Sequence, residues 1–147
     1  MRVACSVEIN RPASEVWAYV ADYGNDRSWR AGVRRMRPSV PGPAQPGITT
    51  HEALRMLGAT FITDATVHRV EGGRLLEWSS HDRQKRLQGR RSVEPIGDAA
   101  ARFTEVMEVR LLGLLRPLTP VVAWLLQRRA PDDLRRLKQI LETPGMT

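Results

Sequence analysis

The chain has 147 residues, of which 41% are hydrophobic and 27% charged, and its formal net charge is +7. This length and composition predict one folded domain over residues 1–147 and exclude wholesale disorder. A single cysteine, Cys5, excludes an internal disulfide and a cysteine-based metal site.

The first two elements are predicted to be a strand and a short helix. Polar and apolar residues alternate from Arg2 to Ile9, which is the period of a half-buried strand. A helix over about residues 12–22 follows, with Pro12 in its first turn and an apolar stripe at helical spacing formed by Ala13, Val16, Trp17 and Val20. Gly24 and the polar residues after it end this helix, because Gly and Asn readily adopt the left-handed conformation.

An antiparallel meander is predicted for the middle of the chain. Residues 38–47 are rich in Pro and Gly and form a loop. Five strand-like runs follow, at about residues 48–57, 59–70, 74–81, 86–94 and 101–111. Short turns join consecutive runs, which is typical of neighbouring antiparallel strands.

A long helix is predicted to close the chain, over about residues 120–142. Thr119 is placed as its N-cap, with Pro120 at the first helical position. Pro131 removes one backbone hydrogen bond, so a kink or a break is expected near residues 127–130.

Four segments of the chain resemble a known family. The stretches VEINRPASEVWAYVADYGNDRSW, GGRLLEW, GRRSVEP and DLRRLKQILE are similar to the polyketide cyclase and dehydrase branch of the START-like (SRPBCC) superfamily, which includes the birch-pollen-allergen proteins. The resemblance implies an α+β helix-grip fold, in which a curved antiparallel sheet wraps around the long C-terminal helix and encloses a cavity. It also implies that Trp29 begins the second strand and that residues 24–28 form a turn between two pieces of a lid. Arg27 and Arg30 are then expected in solvent.

Polar residues on the apolar faces of the strands are the candidates for the cavity site, because those faces should line it. Strand parity selects Glu52, Ser80, Arg91 and Glu105. Glu52, Arg91 and Glu105 are the catalytic candidates: a glutamate could act as general base while the arginine stabilises an enolate. The same groups could instead orient a ligand or form an internal salt bridge. The predicted ligand contacts are Trp29, Trp78, Ser80, Arg91 and Trp124.

No metal site and no cofactor are predicted. His51, His68 and His81 are scattered over different strands with no ligand spacing, so each is expected at the surface or at a strand edge. Cys5 lies on an apolar strand face without a nearby basic partner, which predicts a buried, inert thiol.

Three functions remain open. The first is binding of a small hydrophobic or polycyclic ligand, polyketide-like or lipid-like, in the cavity. The second is a polyketide cyclase or dehydratase that uses acid and base residues there. The third is a basic interaction module for an acidic partner, since Arg and Lys cluster over residues 34–37, 85–91 and 128–136. A solvated basic surface is the favoured interpretation of these clusters.

The expected partners and cellular location are inferred from sequence motifs that are missing. No nucleic-acid-binding motif is present, so no specific nucleic-acid partner is expected. The N-terminus lacks a signal-peptide pattern, and the most apolar stretch, residues 111–126, is interrupted by Arg116 and two prolines, so no transmembrane segment is predicted and the cytoplasm is expected. An exposed sheet edge could support a homodimer.

Overall fold

The computed structural model describes residues 1–144. Its strands are β1 (Arg2–Ile9), β2 (Val33–Pro38), β3 (Thr49–Met56), β4 (Ala59–Glu71), β5 (Leu75–His81), β6 (Lys85–Ile96) and β7 (Ala100–Leu111). All seven form one antiparallel sheet in the order β1-β7-β6-β5-β4-β3-β2. The five predicted strands of the meander are confirmed to within two residues at each end.

Three α-helices accompany the sheet: α1 (Ala13–Val20), α2 (Asp26–Trp29) and α3 (Thr119–Glu142), which has 24 residues. Short 3-10 segments, Tyr23–Asn25 and Gly113–Leu118, precede α2 and α3. The inner face of α3 packs on β1, and the main core joins α1, α3 and the sheet through the buried residues Ile9, Val16, Val20, Phe103, Leu134, Leu137 and Leu141. The helix-grip α+β fold is confirmed.

Helix α3 differs from its prediction in two features, the expected break near Pro131 and the expected N-cap at Thr119. It continues through Pro131 without a break. Buried residues on either side, Ala123 and Leu134, hold it against the rest of the fold, so packing outweighs one lost hydrogen bond. Thr119 is its first residue rather than its N-cap, and the Thr119 hydroxyl accepts a hydrogen bond from the Leu111 amide at 3.1 Å. No helix within residues 1–144 is long and apolar enough to cross a membrane.

The segment after α1 is helical, so the prediction for Trp29 was wrong. Trp29 is the last residue of α2 and is buried, and β2 begins four residues later at Val33. The carboxylate of Asp22 accepts a hydrogen bond from the Gly24 amide at 2.9 Å, which caps the 3-10 turn that leads into α2. Helical geometry therefore replaces the expected turn at residues 24–28.

Gly89 of β6 sets the position of the Trp78 indole on the neighbouring strand β5. The two residues are directly paired, and a Cβ atom at position 89 would lie 2.5 Å from indole atoms. We expect Gly89→Ala to displace Trp78 and to lower the free energy of unfolding by about 1–3 kcal/mol, because the strand cannot yield without disturbing its pairing. Urea unfolding followed by tryptophan emission measures both effects.

Gly72→Ala is the matched control, because a Cβ there meets no atom within 4 Å. It should change the free energy of unfolding by less than about 0.5 kcal/mol. Equal effects of the two substitutions would contradict the proposed contact.

Candidate functional site

A cavity of about 150 Å³ lies between the curved sheet and helix α3. Its wall is mainly apolar and includes Leu54, Met56, Phe61, Trp78, Leu87, Met107, Val109, Val122 and Leu126. An apolar cavity of about this volume in another protein holds benzene. The interior therefore accommodates one ring or a short acyl chain, and a longer ligand must extend toward the cavity's open side.

A buried ion pair stands at one end of this cavity. Asp26, the first residue of α2, is fully buried, and Arg91 of β6 is 2% exposed. Nη1 and Nη2 of Arg91 donate to the two carboxylate oxygens of Asp26 at 2.9 and 2.7 Å. Arg91 Nη1 also donates to the Val20 carbonyl at the end of α1, at 3.0 Å. One guanidinium thus joins β6 to both N-terminal helices.

Three further charged residues surround this pair. Arg30 donates to the carboxylate of Asp26 at 3.0 Å and also pairs with Glu52. Glu105 lies 3.4 Å from Arg91, measured from Oε2 to Nε. The cluster of Asp26, Arg30, Glu52, Arg91 and Glu105 contains two arginines and three carboxylates, so its formal charge is −1.

The arginines of this cluster remain charged. Burial alone lowers the pKa of an arginine, but Asp26 and Glu105 act in the opposite direction on Arg91 and hold its pKa above the ordinary value. Burial likewise acts against Arg30, and Glu52 and then Asp26 raise the pKa of Arg30. Each buried cation is therefore matched by carboxylates, which is the condition for tolerating it away from water.

Aromatic rings enclose the Arg91 guanidinium. Its Cζ atom lies 4.6 Å from the ring centroid of Tyr23 and 5.2 Å from that of Trp29, within cation–π range. Trp29 in turn meets Phe103 edge to face, with ring centroids 6.0 Å apart. These contacts fix the orientation of both aromatic side chains at the cavity wall.

Besides Arg91 Nε, three buried polar atoms at this end have no hydrogen-bond partner among the described residues. They are the Tyr23 hydroxyl, the Trp29 indole Nε1 and Oε2 of Glu105, and all three residues line the cavity. Burial raises the pKa of Tyr23 beyond its ordinary value, so its phenol stays neutral and can donate a hydrogen bond. Buried polar groups are rarely left unpaired, so each of these atoms calls for a partner. Two donors and one acceptor without a hydrogen-bond partner thus belong to residues of the cavity wall.

The opposite end of the cavity has different polar residues. Lys85, at the start of β6, donates to the Ile62 carbonyl and to the Asp82 carboxylate, each at 2.7 Å. Arg129 of α3 reaches the Arg55 carbonyl on β3 at 3.2 Å. These cations have protein partners, so this end offers a mostly apolar wall.

Most sequence-predicted site residues meet in this cavity. Glu52, Arg91 and Glu105 lie within the charged cluster, and Trp29 and Trp78 line the wall. Their roles as catalytic or ligand-binding groups remain predictions.

Two predicted contacts lie elsewhere. Ser80 is buried but donates to the Asp64 carbonyl at 2.6 Å and is not part of the cavity wall. Trp124 is 56% exposed on the outer face of α3, with Arg128 at 5.2 Å from its ring centroid. The periodicity of α3 did not distinguish its inner from its outer face, because both are apolar.

Two arginine predictions fared differently. Arg27 is exposed, as expected, whereas Arg30 is drawn into the cluster and its side chain is only 18% exposed. The basic run at residues 85–91 is likewise not all surface, because Lys85 and Arg91 are buried. A carboxylate accompanies each burial: Glu52 and Asp26 pair with Arg30, Asp26 and Glu105 pair with Arg91, and Asp82, three residues earlier in the chain, pairs with Lys85.

The sequence reasoning missed Tyr23 and Asp26. Their signal was present, since Tyr23, Asp26 and Trp29 recur at three-residue spacing and Asp26 and Arg30 form an i,i+4 pair. Helical spacing places them on one face, which the structure turns toward the cavity.

Histidines and cysteine play smaller parts. His51 contacts the Asp64 carboxylate at 2.6 Å and Arg35 at 3.2 Å, and His68 contacts Ser79. Within residues 1–144 no three His, Cys, Asp or Glu side chains converge as metal ligands. Cys5 lines the cavity, and burial raises the pKa of its thiol.

The comparisons with known proteins agree with this architecture. A family model described as "Polyketide cyclase / dehydrase and lipid transport" matches residues 1–142. The chain belongs to this family. No curated protein matches the sequence.

Solved structures share the family's fold with this chain. A START superfamily protein from Mycobacterium smegmatis is 14% identical, with 96% of this chain and 97% of that chain covered and a TM-score of 0.77. A protein from Thermus thermophilus is 14% identical over 96% of this chain and 97% of its own, with a TM-score of 0.80. The Zhui aromatase/cyclase from a Streptomyces species is 13% identical over 97% and 93%, with a TM-score of 0.78. Identities this low establish the fold alone.

Removing the charge of Asp26 should strongly destabilise the protein. We expect Asp26→Asn to lower the free energy of unfolding by about 3–5 kcal/mol, because it leaves the Arg91 guanidinium buried with its main counterion gone. Asp132→Asn is the control: Asp132 pairs with Arg135 at 2.9 Å, but both side chains are more than half exposed. It should cost less than about 0.5 kcal/mol. Chemical denaturation measures both, and a loss below about 1 kcal/mol for Asp26→Asn would contradict this account.

Proposed function

We propose that the protein binds a small, neutral, largely apolar ligand that carries an oxygen at one end. The observation behind this proposal is the unequal cavity: its wall is mainly apolar, while Tyr23, Trp29 and Glu105, each with a buried polar atom that makes no hydrogen bond, line it at one end. A ligand hydroxyl or carbonyl there would supply the missing hydrogen bonds, and the hydrophobic body would lie along the remaining wall.

The charge of the cluster supports a neutral ligand. With a formal charge of −1 among Asp26, Arg30, Glu52, Arg91 and Glu105, a ligand carboxylate would bring a second uncompensated negative charge into a buried site. Both arginines already donate to carboxylates, so neither guanidinium has a free pair of N–H groups to bind an anionic ligand. A phenol, alcohol or ketone suits this end better than a free fatty acid.

Family membership supports the ligand class. The family description joins polyketide cyclases and dehydrases with lipid transport. Polyketide-like rings and lipid-like chains both combine an apolar body with isolated oxygen atoms. The apolar side of the cavity, with Met56, Phe61 and Val122, suits the part of such a molecule that lies beyond the polar end.

Three naphthalene probes of similar size test the proposal. We expect 2-naphthol to bind more tightly than naphthalene, because its hydroxyl can meet Tyr23, Trp29 and Glu105, and 2-naphthoate to bind worst because of its charge. Tyr23→Phe should lower the affinity for 2-naphthol by about five- to tenfold, because one hydrogen bond is lost. The affinity for naphthalene, which has no hydroxyl, should not change. Titration calorimetry gives the affinities.

Tyr19→Phe is the matched control, since Tyr19 is the only other tyrosine and does not line the cavity. Cys5 supplies an independent readout, because it lines the cavity and is the only cysteine. Its raised pKa makes alkylation slow at neutral pH, and 2-naphthol should slow it further by occupying the site. Equal affinity for all three probes, or unchanged alkylation at saturation, would refute the polar-end proposal.

A second candidate function is acid and base catalysis of a cyclase or dehydratase type. It is favoured by Glu105, which lines the cavity and whose Oε2 accepts no hydrogen bond although it lies 3.4 Å from Arg91 Nε. Glu105 could remove a proton from a carbon between two carbonyls, with the Tyr23 hydroxyl and Trp29 Nε1 donating to the enolate oxygen. Glu52 is less suited as a base, because its carboxylate accepts a hydrogen bond from Arg30 in addition to the ion pair.

Proton abstraction can be measured apart from binding. The protein should accelerate exchange of the C2 protons of an acetoacetyl thioester with deuterium oxide, and Glu105→Gln should reduce this acceleration by about 100-fold or more. Glu108→Gln is the control, since Glu108 lies on the same strand with an exposed side chain outside the cavity. Exchange at the rate of buffer alone would exclude this function for that substrate and leave the binding proposal standing.

A further inference from the structure

An exposed apolar surface lies at the end of the sheet where β3, β5 and β7 finish. It consists of five residues, hereafter the apolar rim: Leu57, Leu114, Leu118, Val121 and Trp124. Their exposed fractions are 79%, 99%, 49%, 51% and 56%. Single exposed apolar residues are ordinary, but several at one end of a fold indicate an interaction surface.

Four members of the rim follow one helical face. Leu114, Leu118, Val121 and Trp124 are spaced by four, three and three residues through the 3-10 segment and the start of α3. The opposite face of the same stretch is also apolar, with Ala123 buried and Val122 and Leu126 lining the cavity. A helix that is apolar on both faces is normally covered on both. The rim is the uncovered side.

The fifth member occupies an unfavourable turn position. Leu57 and Gly58 form the two-residue turn between β3 and β4, and both have positive φ angles, 52° and 75°. Such turns favour Asn-Gly or Asp-Gly, and a non-glycine residue without a short polar side chain costs about 1 kcal/mol there. An exposed leucine contributes nothing to the core in return. Its presence at the tip is explained if the tip enters an apolar medium.

The rim borders the apolar end of the cavity. Met56 and Phe61, which flank the Leu57 turn, line the cavity from the sheet side, and Val122 and Leu126 line it from α3. The hairpin and the helix therefore face each other across that end. Whatever covers the rim also lies against the cavity's apolar end.

The charge around the rim defines its partner. Residues 111–131 contain three arginines, Arg116, Arg128 and Arg129, and no acidic residue. Arg128 stacks over the Trp124 ring at 5.2 Å, so a cation and an interfacial aromatic ring form one unit. Tryptophan and arginine together suit the boundary between lipid headgroups and acyl chains. Anionic headgroups would match the local positive charge.

We propose that the apolar rim docks the protein on the surface of an anionic lipid bilayer, with Leu57 and Trp124 entering the acyl boundary and the arginines meeting the headgroups. No helix within residues 1–144 spans a membrane, so the attachment is peripheral and reversible. Docked in this way, the cavity's apolar end faces the bilayer, and an apolar molecule could pass between them without crossing water.

Vesicle co-sedimentation tests the proposal. The full chain should bind phosphatidylcholine vesicles that contain phosphatidylglycerol more tightly than vesicles of phosphatidylcholine alone. Leu114→Gln with Trp124→Gln should weaken binding by about tenfold or more, because two apolar insertions are lost. Arg128→Gln should weaken binding to the anionic vesicles by about fivefold and leave neutral vesicles unaffected.

Leu57→Asn separates docking from folding. Asparagine suits the turn better than leucine, so the thermal midpoint should hold or rise while vesicle affinity falls several-fold. Val40→Gln with Ile96→Gln is the control, because these exposed apolar residues lie at the other end of the sheet, at 54% and 39% exposure. The control should bind vesicles like the unchanged protein.

Other outcomes would overturn the proposal. If salt abolishes vesicle binding but the leucine and tryptophan variants bind normally, the attraction is due to charge alone and the apolar rim has no part in it. Dimerisation without vesicles that the same variants abolish would assign the rim to a second copy of the chain. Absence of binding to both kinds of vesicle would remove the bilayer as the partner.

Discussion

The bidentate ion pair between Asp26 and Arg91 is the constraint on which the site depends. It joins residues 65 positions apart, ties α2 to the middle of the sheet and leaves neither charge exposed to water. Because Tyr23 and Trp29 lie one helical turn on either side of Asp26, their placement follows from the same contact. Contacts within the protein thus preorganise the polar end of the cavity, which would lower the entropy cost of binding a ligand there.

Strand periodicity predicted the sheet well, because hairpin turns separate its strands clearly. The pairings of β5 with β6 and of β6 with β7 contain no bulge. Alternation of side chains between the two faces of the sheet therefore predicted correctly which residues share a face on these strands. Arg91 and Glu105 are directly paired across β6 and β7 and share the cavity face, as parity alone indicates. Bulges occur between Val33 and Arg35 and between Val67 and Arg69, away from these positions.

The remaining parts depend on contacts that sequence spacing does not contain. Asp26 lies in a four-residue helix, too short for periodicity to stand out from a loop, and its partner comes from a distant strand. The exposed position of Trp124 was not evident from the sequence, because apolar residues occupy both faces of the first half of α3. At Pro131 the local rule that proline breaks a helix gave the wrong expectation. The helix continues because buried residues before and after Pro131, an alanine and a leucine, hold it against the fold.

Gly89 is absent from the cavity wall, yet it governs how close the Trp78 indole lies to β6. The depth of the cavity below that ring is therefore set by a residue that lies outside the cavity wall. In homologues, a side chain at position 89 should accompany a smaller residue at position 78, so that the two positions covary. Differences in cavity depth within the family would then be recorded in this pair of residues on two central strands rather than in the rest of the cavity wall.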